Sequence, residues 1–287
     1  KGNPKKVATI ANSETIGVTM VLLKIMQVVN GERAFSTRRP SFVAYHQLKH
    51  VMTPIAKRFN SKKISEKIKL KKEPKGKYMF RITYVYHSCF TVELDHTVLI
   101  FDYVQGTLPE FDHDKTVYVF ASHRHPDHFK PKVFELVKIY PKVHFFLSDD
   151  IRQSSTWFAR LRITDKDLKD YVTVIRPNRK ITYAGMTIES LKSTDEGVAF
   201  IVTAEDRTVY HAGDLNWWHW EGEPDQENQD MAEQYKAEID QIAGRSFDAA
   251  FVPLDPRLQD AYGYGMDYFL THTKANAVFP MHMWDKY

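Results

Sequence analysis

The sequence HRHPDH at residues 123–128 places three histidines and one aspartate within six positions. The apolar run VYVFA at residues 117–121 predicts a strand, and only Ser122 separates it from His123. His123 and His125 are two residues apart, so on an extended segment both imidazoles project to the same side and can bind one metal ion. Asp127 and His128 then turn towards a neighbouring position. The spacing predicts a metal site rather than a histidine-rich surface loop.

Two other apolar runs end in side chains of the same type. RTVYHA is followed by Gly213 and Asp214, and NAVFP is followed by Met281 and His282. Alone, Asp214 would be typical of a turn or a helix cap, and His282 of a surface histidine. Because open α/β sheets keep their sites at the carboxyl ends of strands, we expect the three strand ends to meet at one rim.

The elements that must position these residues begin after Tyr78. Short β-branched and aromatic runs there are separated by turn residues and predict many strands. Four helical stretches are interposed, and we predict them at residues 131–140, 149–161, 225–243 and 264–271. This order predicts a layered α/β domain over residues 78–287, with sheets packed on each other and helices outside.

The charge of the chain divides at the same place. Residues 1–77 hold 18 Lys and Arg against 4 Asp and Glu, whereas the remaining residues hold 22 against 32. We therefore expect a basic, mostly helical N-terminal extension, with helices over residues 15–29 and 41–59, ahead of an acidic domain. For the extension, packing on the acidic domain, binding of nucleic acid and binding of an anionic membrane remain open.

Cysteine content and hydropathy bear on the compartment. Cys89 is the single cysteine, which excludes an intrachain disulfide and a CxxC zinc motif. The longest apolar stretch, residues 16–29, is too short to span a bilayer. We expect a cytoplasmic protein.

Residues 78–287 resemble the metallo-β-lactamase fold superfamily, and within it the small cytoplasmic metal-dependent hydrolases of the ascorbate-phosphate-lactonase-like type. The resemblance rests on YVYHSCF at 84–90, LIFDY at 99–103, HRHPDH at 123–128, VYHAGD at 209–214 and FPMH at 279–282. It implies an αββα sandwich of two mixed sheets with a metal site at the sheet edge.

The resemblance also implies roles for individual residues. The metal ligands are His123 and His125 in a first site, Asp127, His128 and His282 in a second site, and Asp214 bridging both. Asp102 would orient the ligand loop through hydrogen bonds, and His87 and Ser88 would lie near the site. His211 and Trp217 are candidate substrate contacts, with a structural imidazole and core packing as the respective alternatives.

One position departs from the family pattern. The family usually supplies a third histidine to the first site from a loop that here reads LKSTDEGVAF, with Ser193, Thr194 and Asp195 in its place. His144 lies inside a predicted strand and is more typical of a sheet-face histidine. Either Asp195 or water would complete the site. Two histidines plus carboxylates form a harder site, which shifts preference from Zn towards Mn or Fe.

These observations predict a metal-dependent hydrolase. One or two divalent transition metal ions, Zn first and Mn or Fe as alternatives, would supply a metal-bound hydroxide that attacks a small phosphorylated, ester or lactone substrate. Asp127 would orient the attacking water and accept its proton. Two alternatives remain open: a phosphodiesterase or nuclease whose basic segment binds nucleic acid, and a non-catalytic binding protein with a degraded metal site.

Overall fold

The computed structural model describes residues 80–162 and 171–284. The basic extension at residues 1–77, with its two predicted helices, lies outside the described residues. The described part is a mixed α/β fold that contains two six-stranded sheets and a short two-stranded pair. It confirms the predicted fold class for this part of the chain.

The first sheet follows chain order across its six strands. Neighbouring strands are antiparallel from β1 to β3 and parallel from β3 to β6. The strands are β1 (Arg81–Tyr86), β2 (Cys89–Glu93), β3 (Thr97–Phe101), β4 (Thr116–Ala121), β5 (Val143–Ser148) and β6 (Val172–Ile175). β4, which precedes the HRHPDH motif, therefore lies inside the sheet with a parallel neighbour on each side.

The second sheet carries the other two predicted ligand segments. Its strands are β7 (Lys180–Tyr183), β8 (Met186–Lys192), β9 (Val198–Ala204), β10 (Arg207–His211), β12 (Ala249–Pro253) and β14 (Val278–Met281). The spatial order is β14-β12-β10-β9-β8-β7, with the first three parallel and the rest antiparallel. β11 (Ser246–Phe247) and β13 (Lys274–Ala275) form the short pair.

The two sheets pack face to face through aromatic side chains. Phe120 of β4 contacts Phe200 of β9 with ring centroids 5.2 Å apart, and Phe90 contacts Phe251 at 4.4 Å. Alternate residues of β4 point to opposite faces, as the two-residue period of a strand requires, so Val119 packs on the other side of the first sheet. This apolar layer fixes the distance between β4 and β10, whose ends carry the predicted ligands.

Helices cover the outer faces. The described helices are two 3₁₀ segments, Pro131–Lys138 and Pro256–Ala261, and three α-helices, α1 (Ser155–Leu161), α2 (Asp225–Asp240) and α3 (Tyr264–His272). Phe134 packs between Phe145 of β5 and Phe158 of α1, and Tyr210 of β10 stacks on Phe269 of α3. The layers are therefore αββα. Among the described residues, no helix is long and apolar enough to cross a membrane.

Three of the predicted helices differ from the structure. The helix predicted as residues 225–243 ends at Asp240. The segment predicted as residues 131–140 is a 3₁₀ helix that ends at Lys138. The helix predicted from residue 149 begins only at Ser155. Its expected first turn is instead held as a loop, because Asp149 N donates to the Ile175 carbonyl and the Asp150 carboxylate accepts from Arg124 N.

Candidate metal centre

Three strand ends meet around the Asp214 carboxylate. Its Oδ2 lies 3.6 Å from His123 Nε2, which follows β4, and 3.5 Å from His282 Nε2, which follows β14. Its Oδ1 lies 3.1 Å from His128 Nε2. The convergence expected from the sequence is therefore present, with Asp214 between imidazoles that come from both sheets.

The first group consists of His123, His125, Asp195 and Asp214, with one donor atom from each within 4.8 Å of all the others. His123 Nε2 lies 3.1 Å from His125 Nδ1, and His125 Nδ1 lies 3.3 Å from Asp195 Oδ2. Ligand atoms about 2.1 Å from one cation stand roughly 3.0–3.4 Å apart, so this spacing fits one ion. Asp195, one of the two candidates for completing this site, lies within the group.

The second group consists of His87, Asp127, His128 and His282. Asp127 Oδ2 lies 3.4 Å from His87 Nε2, 3.6 Å from His282 Nε2 and 3.8 Å from His128 Nε2. Asp127, His128 and His282 are the residues predicted for the second site. His87 was expected only near the site, and the structure places its ring among the three.

Several buried ligand-type atoms of the cluster have no hydrogen-bond partner among the described residues. Within the described residues, the Nε2 atoms of His87, His128 and His282 and Oδ1 of Asp214 are buried with no hydrogen-bond partner. Leaving a buried polar atom unpaired costs about 1–3 kcal/mol. Imidazole nitrogens and carboxylate oxygens are the ligand types that Zn, Mn and Fe accept, so the donor set fits a divalent cation.

A buried carboxylate holds each of two ligand-type imidazoles from behind. Asp102 accepts hydrogen bonds from Ser122 N and Ser122 Oγ, both at 2.7 Å, and from His128 Nδ1 at 2.8 Å. Asp255 accepts from His282 Nδ1 at 2.8 Å. Because each carboxylate contacts Nδ1, the Nε2 atom of each ring is directed into the cluster. The predicted orienting role of Asp102 agrees with this geometry, whereas Asp255 was not anticipated.

The loop between β8 and β9 delivers Asp195 to the cluster. Val198 N donates to the Ser122 carbonyl at 2.9 Å, which ties this loop to the end of β4. Gly197 has a φ of +70°, and a Cβ there would lie 2.0 Å from the Ser122 carbonyl oxygen. Only glycine permits this close approach, and the approach brings Asp195 within reach of His125.

Three residues of this centre have a strained backbone. His87, Asp102 and His282 have φ values of 50°, 47° and 61°, in the left-handed region that side chains with a Cβ rarely adopt. Such residues persist when the surrounding structure fixes them, and they cluster at functional sites. All three belong to the second group or orient a member of it.

Mutual charge sets the protonation of the cluster. Burial alone would raise the pKa of Asp214, but the imidazoles of His128 and His282 outweigh it and lower that pKa. Burial lowers the pKa of His282, and Asp214 and Asp127 reverse this and raise it to about 9. Burial and the neighbouring Asp214 raise the pKa of Asp195. The carboxylates thus attract positive charge, which a bound cation would supply in place of protons.

A cavity of about 330 Å³ opens beside the two groups. Its lining includes five ligand-type residues, His125, Asp127, Asp195, Asp214 and His282. The rest of the lining is Thr194, Trp218, Trp220, Met231, Arg257 and Trp284. The volume is at the lower end of the range for small-molecule sites.

Two residues predicted to contact substrate do not line this cavity. His211 is fully buried, its Nε2 is 2.8 Å from the Ser88 carbonyl and its Nδ1 accepts from Gly213 N. This is the structural imidazole that the sequence left as the alternative. Trp217 packs against Tyr264, and the ring contacts of its neighbours Trp218 and Trp220 place those two in the lining instead.

His144 also lies away from the cluster, as expected for a sheet-face histidine. Its Nε2 is 2.8 Å from Thr173 Oγ1 and its Nδ1 is 2.9 Å from the Tyr183 hydroxyl. Both ring nitrogens are therefore occupied within the fold.

The fold and the site together define a class: αββα proteins that carry His and Asp groups where strands of both sheets end. A family model for the Beta-lactamase superfamily domain matches residues 81–228. This stretch is more than half of the chain, and the chain belongs to that superfamily.

The chain is similar to several solved structures at low sequence identity. One is a candidate metal-dependent hydrolase from Parabacteroides distasonis, 16% identical over 73% of this chain and 84% of that one, with a TM-score of 0.48. Igni18, a metallo hydrolase from Ignicoccus hospitalis, is 19% identical over 71% and 82%, with a TM-score of 0.46. CmlA, a diiron β-hydroxylase from Streptomyces venezuelae, is 14% identical over 72% of this chain and 45% of its own, also with a TM-score of 0.46. A search of curated proteins gave no match. The ascorbate-phosphate-lactonase-like subtype stays a prediction.

Proposed function

We propose that this protein is a metal-dependent hydrolase of a small phosphorylated, ester or lactone substrate. The observation that carries the proposal is the set of buried, unpaired donor atoms on His87, His128, His282 and Asp214. They lie beside a cavity whose volume, about 330 Å³, suits a small molecule. Membership of the superfamily supports the reaction class.

The two groups would hold one divalent cation each, with Asp214 between them. A bound divalent cation lowers the pKa of water and polarises a substrate oxygen, which is the chemistry that hydrolysis needs near neutral pH. Three imidazoles and one carboxylate in the second group suit Zn²⁺. The first group has two carboxylates, so relative to a three-histidine site its preference shifts towards Mn or Fe.

Asp127 is the residue to which we assign proton transfer. Its carboxylate lines the cavity; burial alone would raise its pKa, but the neighbouring imidazoles of His282 and His87 outweigh burial and lower that pKa, so Asp127 is ionised at neutral pH. The ionised carboxylate can accept a hydrogen bond from a water molecule in the cavity and so orient it, and we assign proton acceptance to Asp127 because of its position between the cluster and the cavity. Trp218, which is buried and donates through Nε1 to the Asp214 carbonyl, excludes bulk water from one side of the cluster.

The position of Asp195 favours an enzyme over a degraded site. That alternative was motivated by the missing third histidine, and Asp195 supplies an oxygen at the required spacing. The nuclease alternative depends on residues 1–77, which lie outside the described residues. A hydrolase domain over residues 78–287, a small-molecule partner and a cytoplasmic location are parts of the proposal.

A hydrolysis assay with three chromogenic substrates tests the proposal. We expect the metal-loaded protein to cleave at least one of a nitrophenyl phosphate, a bis-nitrophenyl phosphate and a nitrophenyl ester. Chelation should abolish cleavage, reloading should restore it, and Asp127→Ala should lower kcat by about 10²–10⁴-fold, the usual contribution of a general base. Asp112→Ala, at an exposed position, is the control. Undiminished activity in Asp127→Ala, or in chelated protein, would contradict the proposal.

A further inference from the structure

Arg257 is the one lysine or arginine among the described residues that line the cavity. Arg257 follows Asp255 in the chain, and its Nε and Nη2 donate to the Asp255 carboxylate, with Nη2 in contact with Oδ2. Nη1 makes no hydrogen bond to any described residue. The guanidinium is therefore held in place by two of its nitrogens, and Arg257 lines the cavity.

Two indole rings fix the orientation of this guanidinium further. Arg257 Cζ lies 4.7 Å from the ring centroid of Trp284 and 5.5 Å from that of Trp220. Both rings line the cavity. Since these rings already bind a cation, the aromatic wall does not offer an empty cage for a positively charged substrate.

The guanidinium and the ligand cluster are joined through one oxygen. Asp255 Oδ2 accepts from His282 Nδ1 at 2.8 Å and from Arg257 Nη2. Arg257 therefore lies close to the second group. A substrate that contacts both needs only a few atoms between the bond that is cleaved and the part of the substrate that contacts Arg257. The cavity volume of about 330 Å³ also restricts the substrate to a small molecule.

We infer that Arg257 recognises an anionic group of the substrate. This inference rests on the proposed function and narrows its substrate class to small organic anions, with a carboxylate or phosphate a few atoms from the bond that is cleaved. Free Nη1 hydrogens donate to that group, because Arg pairs with carboxylate and phosphate oxygens through planar, charge-assisted hydrogen bonds. The indoles of Trp220 and Trp284 contact the apolar part of the substrate.

Three hydroxamates that differ only in their tails provide the test. All carry the same metal-binding head, and their tails end in a carboxylate, a phosphonate or an uncharged methyl ester. Binding to the metal-loaded protein is measured by titration of its tryptophan fluorescence. We expect one or both anionic tails to bind about tenfold more tightly than the ester, since one charge-assisted hydrogen bond amounts to roughly this factor. The better of the two distinguishes a carboxylate from a phosphate substrate.

Variants assign this preference to Arg257. Arg257→Met should remove it while leaving the affinity for the methyl ester and the metal content unchanged. Arg257→Lys, which keeps a cation beside Asp255, should retain part of it. Arg207→Met is the matched control, because Arg207 is also partly exposed, paired with an aspartate and placed over an aromatic ring, but lies outside the cavity lining.

The outcomes distinguish a failure of the role of Arg257 from a failure of the proposed metal centre. Equal binding of all three hydroxamates, or a full preference in Arg257→Met, overturns the role of Arg257 while the metal centre stands. Failure of every hydroxamate to bind protein that has been offered Zn²⁺, Mn²⁺ and Fe²⁺ overturns the metal centre and this inference with it.

Discussion

Replacement of Asp102 by asparagine tests how the fold directs a ligand nitrogen into the cluster. Asp102 is fully buried and accepts from three donors: Ser122 N on Oδ1, and Ser122 Oγ and His128 Nδ1 on Oδ2. An asparagine at this position keeps one acceptor oxygen and replaces the second carboxylate oxygen with an NH₂ group, which is a donor. One donor must then face another donor, or His128 must shift its proton from Nδ1 to Nε2.

The magnitude of the effect follows from those two possibilities. A buried donor without an acceptor costs about 1–3 kcal/mol of stability. A proton on His128 Nε2 removes the lone pair that faces Asp214, and loss of such an orienting carboxylate lowers metal affinity about 10–100-fold. We expect Asp102→Asn to lower both the stability of the metal-free protein and the affinity for metal, and the loss of metal affinity should be the larger effect.

The assay is a competition titration of metal against a chromogenic chelator, with urea unfolding of the metal-free protein alongside. Asp248→Asn is the matched control, because Asp248 accepts from a backbone N–H, that of Thr208, and from the side chain of Arg207 outside the cluster. It should lose stability and keep metal affinity. Unchanged metal affinity in Asp102→Asn, or an equal loss in the control, would refute the reasoning.

Three further predictions concern the loop, the first group and a buried histidine. Gly197→Ala should lower the free energy of unfolding by about 3 kcal/mol in urea titrations, because its Cβ would clash with the Ser122 carbonyl oxygen. Gly185→Ala is the control: its φ is also positive, at +81°, but no atom lies within 4 Å of the added Cβ, so it should cost about 1 kcal/mol. Similar losses in the two variants would be evidence against close contact between Gly197 and the Ser122 carbonyl. Asp195→His should raise the Zn-to-Mn ratio of protein loaded from an equimolar mixture, measured by elemental analysis, and an unchanged ratio would show that Asp195 is no ligand. Burial lowers the pKa of His144 from 6.5 to about 4, so between these pH values the unfolded state binds more protons than the folded state. The free energy of unfolding should therefore fall by about 2 kcal/mol as the pH falls from 7 to 5. In urea titrations over this interval His144→Gln should lose less stability than the wild type, and equal losses would show that His144 is not the cause.

Most of the candidate ligand residues were predictable because they follow an apolar strand within a few positions. The run VYVFA before His123 and the run NAVFP before His282 mark β4 and β14, and ligand-type residues at strand ends meet wherever the sheets align. The same signal predicted the layers, since apolar runs of this length must be buried on both faces.

Residues that act through tertiary contacts were not predictable in this way. Asp255 lies 27 positions before His282 and carries no spacing signal, because its bond to that imidazole exists only once β12 and β14 pair. Arg257 and Trp284 reach the cavity for the same reason. Which of the indoles after Asp214 enters the cavity depends on packing against α2 and α3, which directed Trp217 elsewhere.

The central claim is that His123, His125 and the residues around Asp214 hold divalent metal, and elemental analysis of the purified protein tests it most directly. We expect one or two equivalents of Zn, Mn or Fe per chain, a loss of at least one equivalent in His123→Ala, and unchanged content in His144→Gln, whose imidazole bonds to Thr173 and Tyr183 away from the cluster. Protein that binds no transition metal after reconstitution, or equal metal content in wild type and His123→Ala, would contradict the claim.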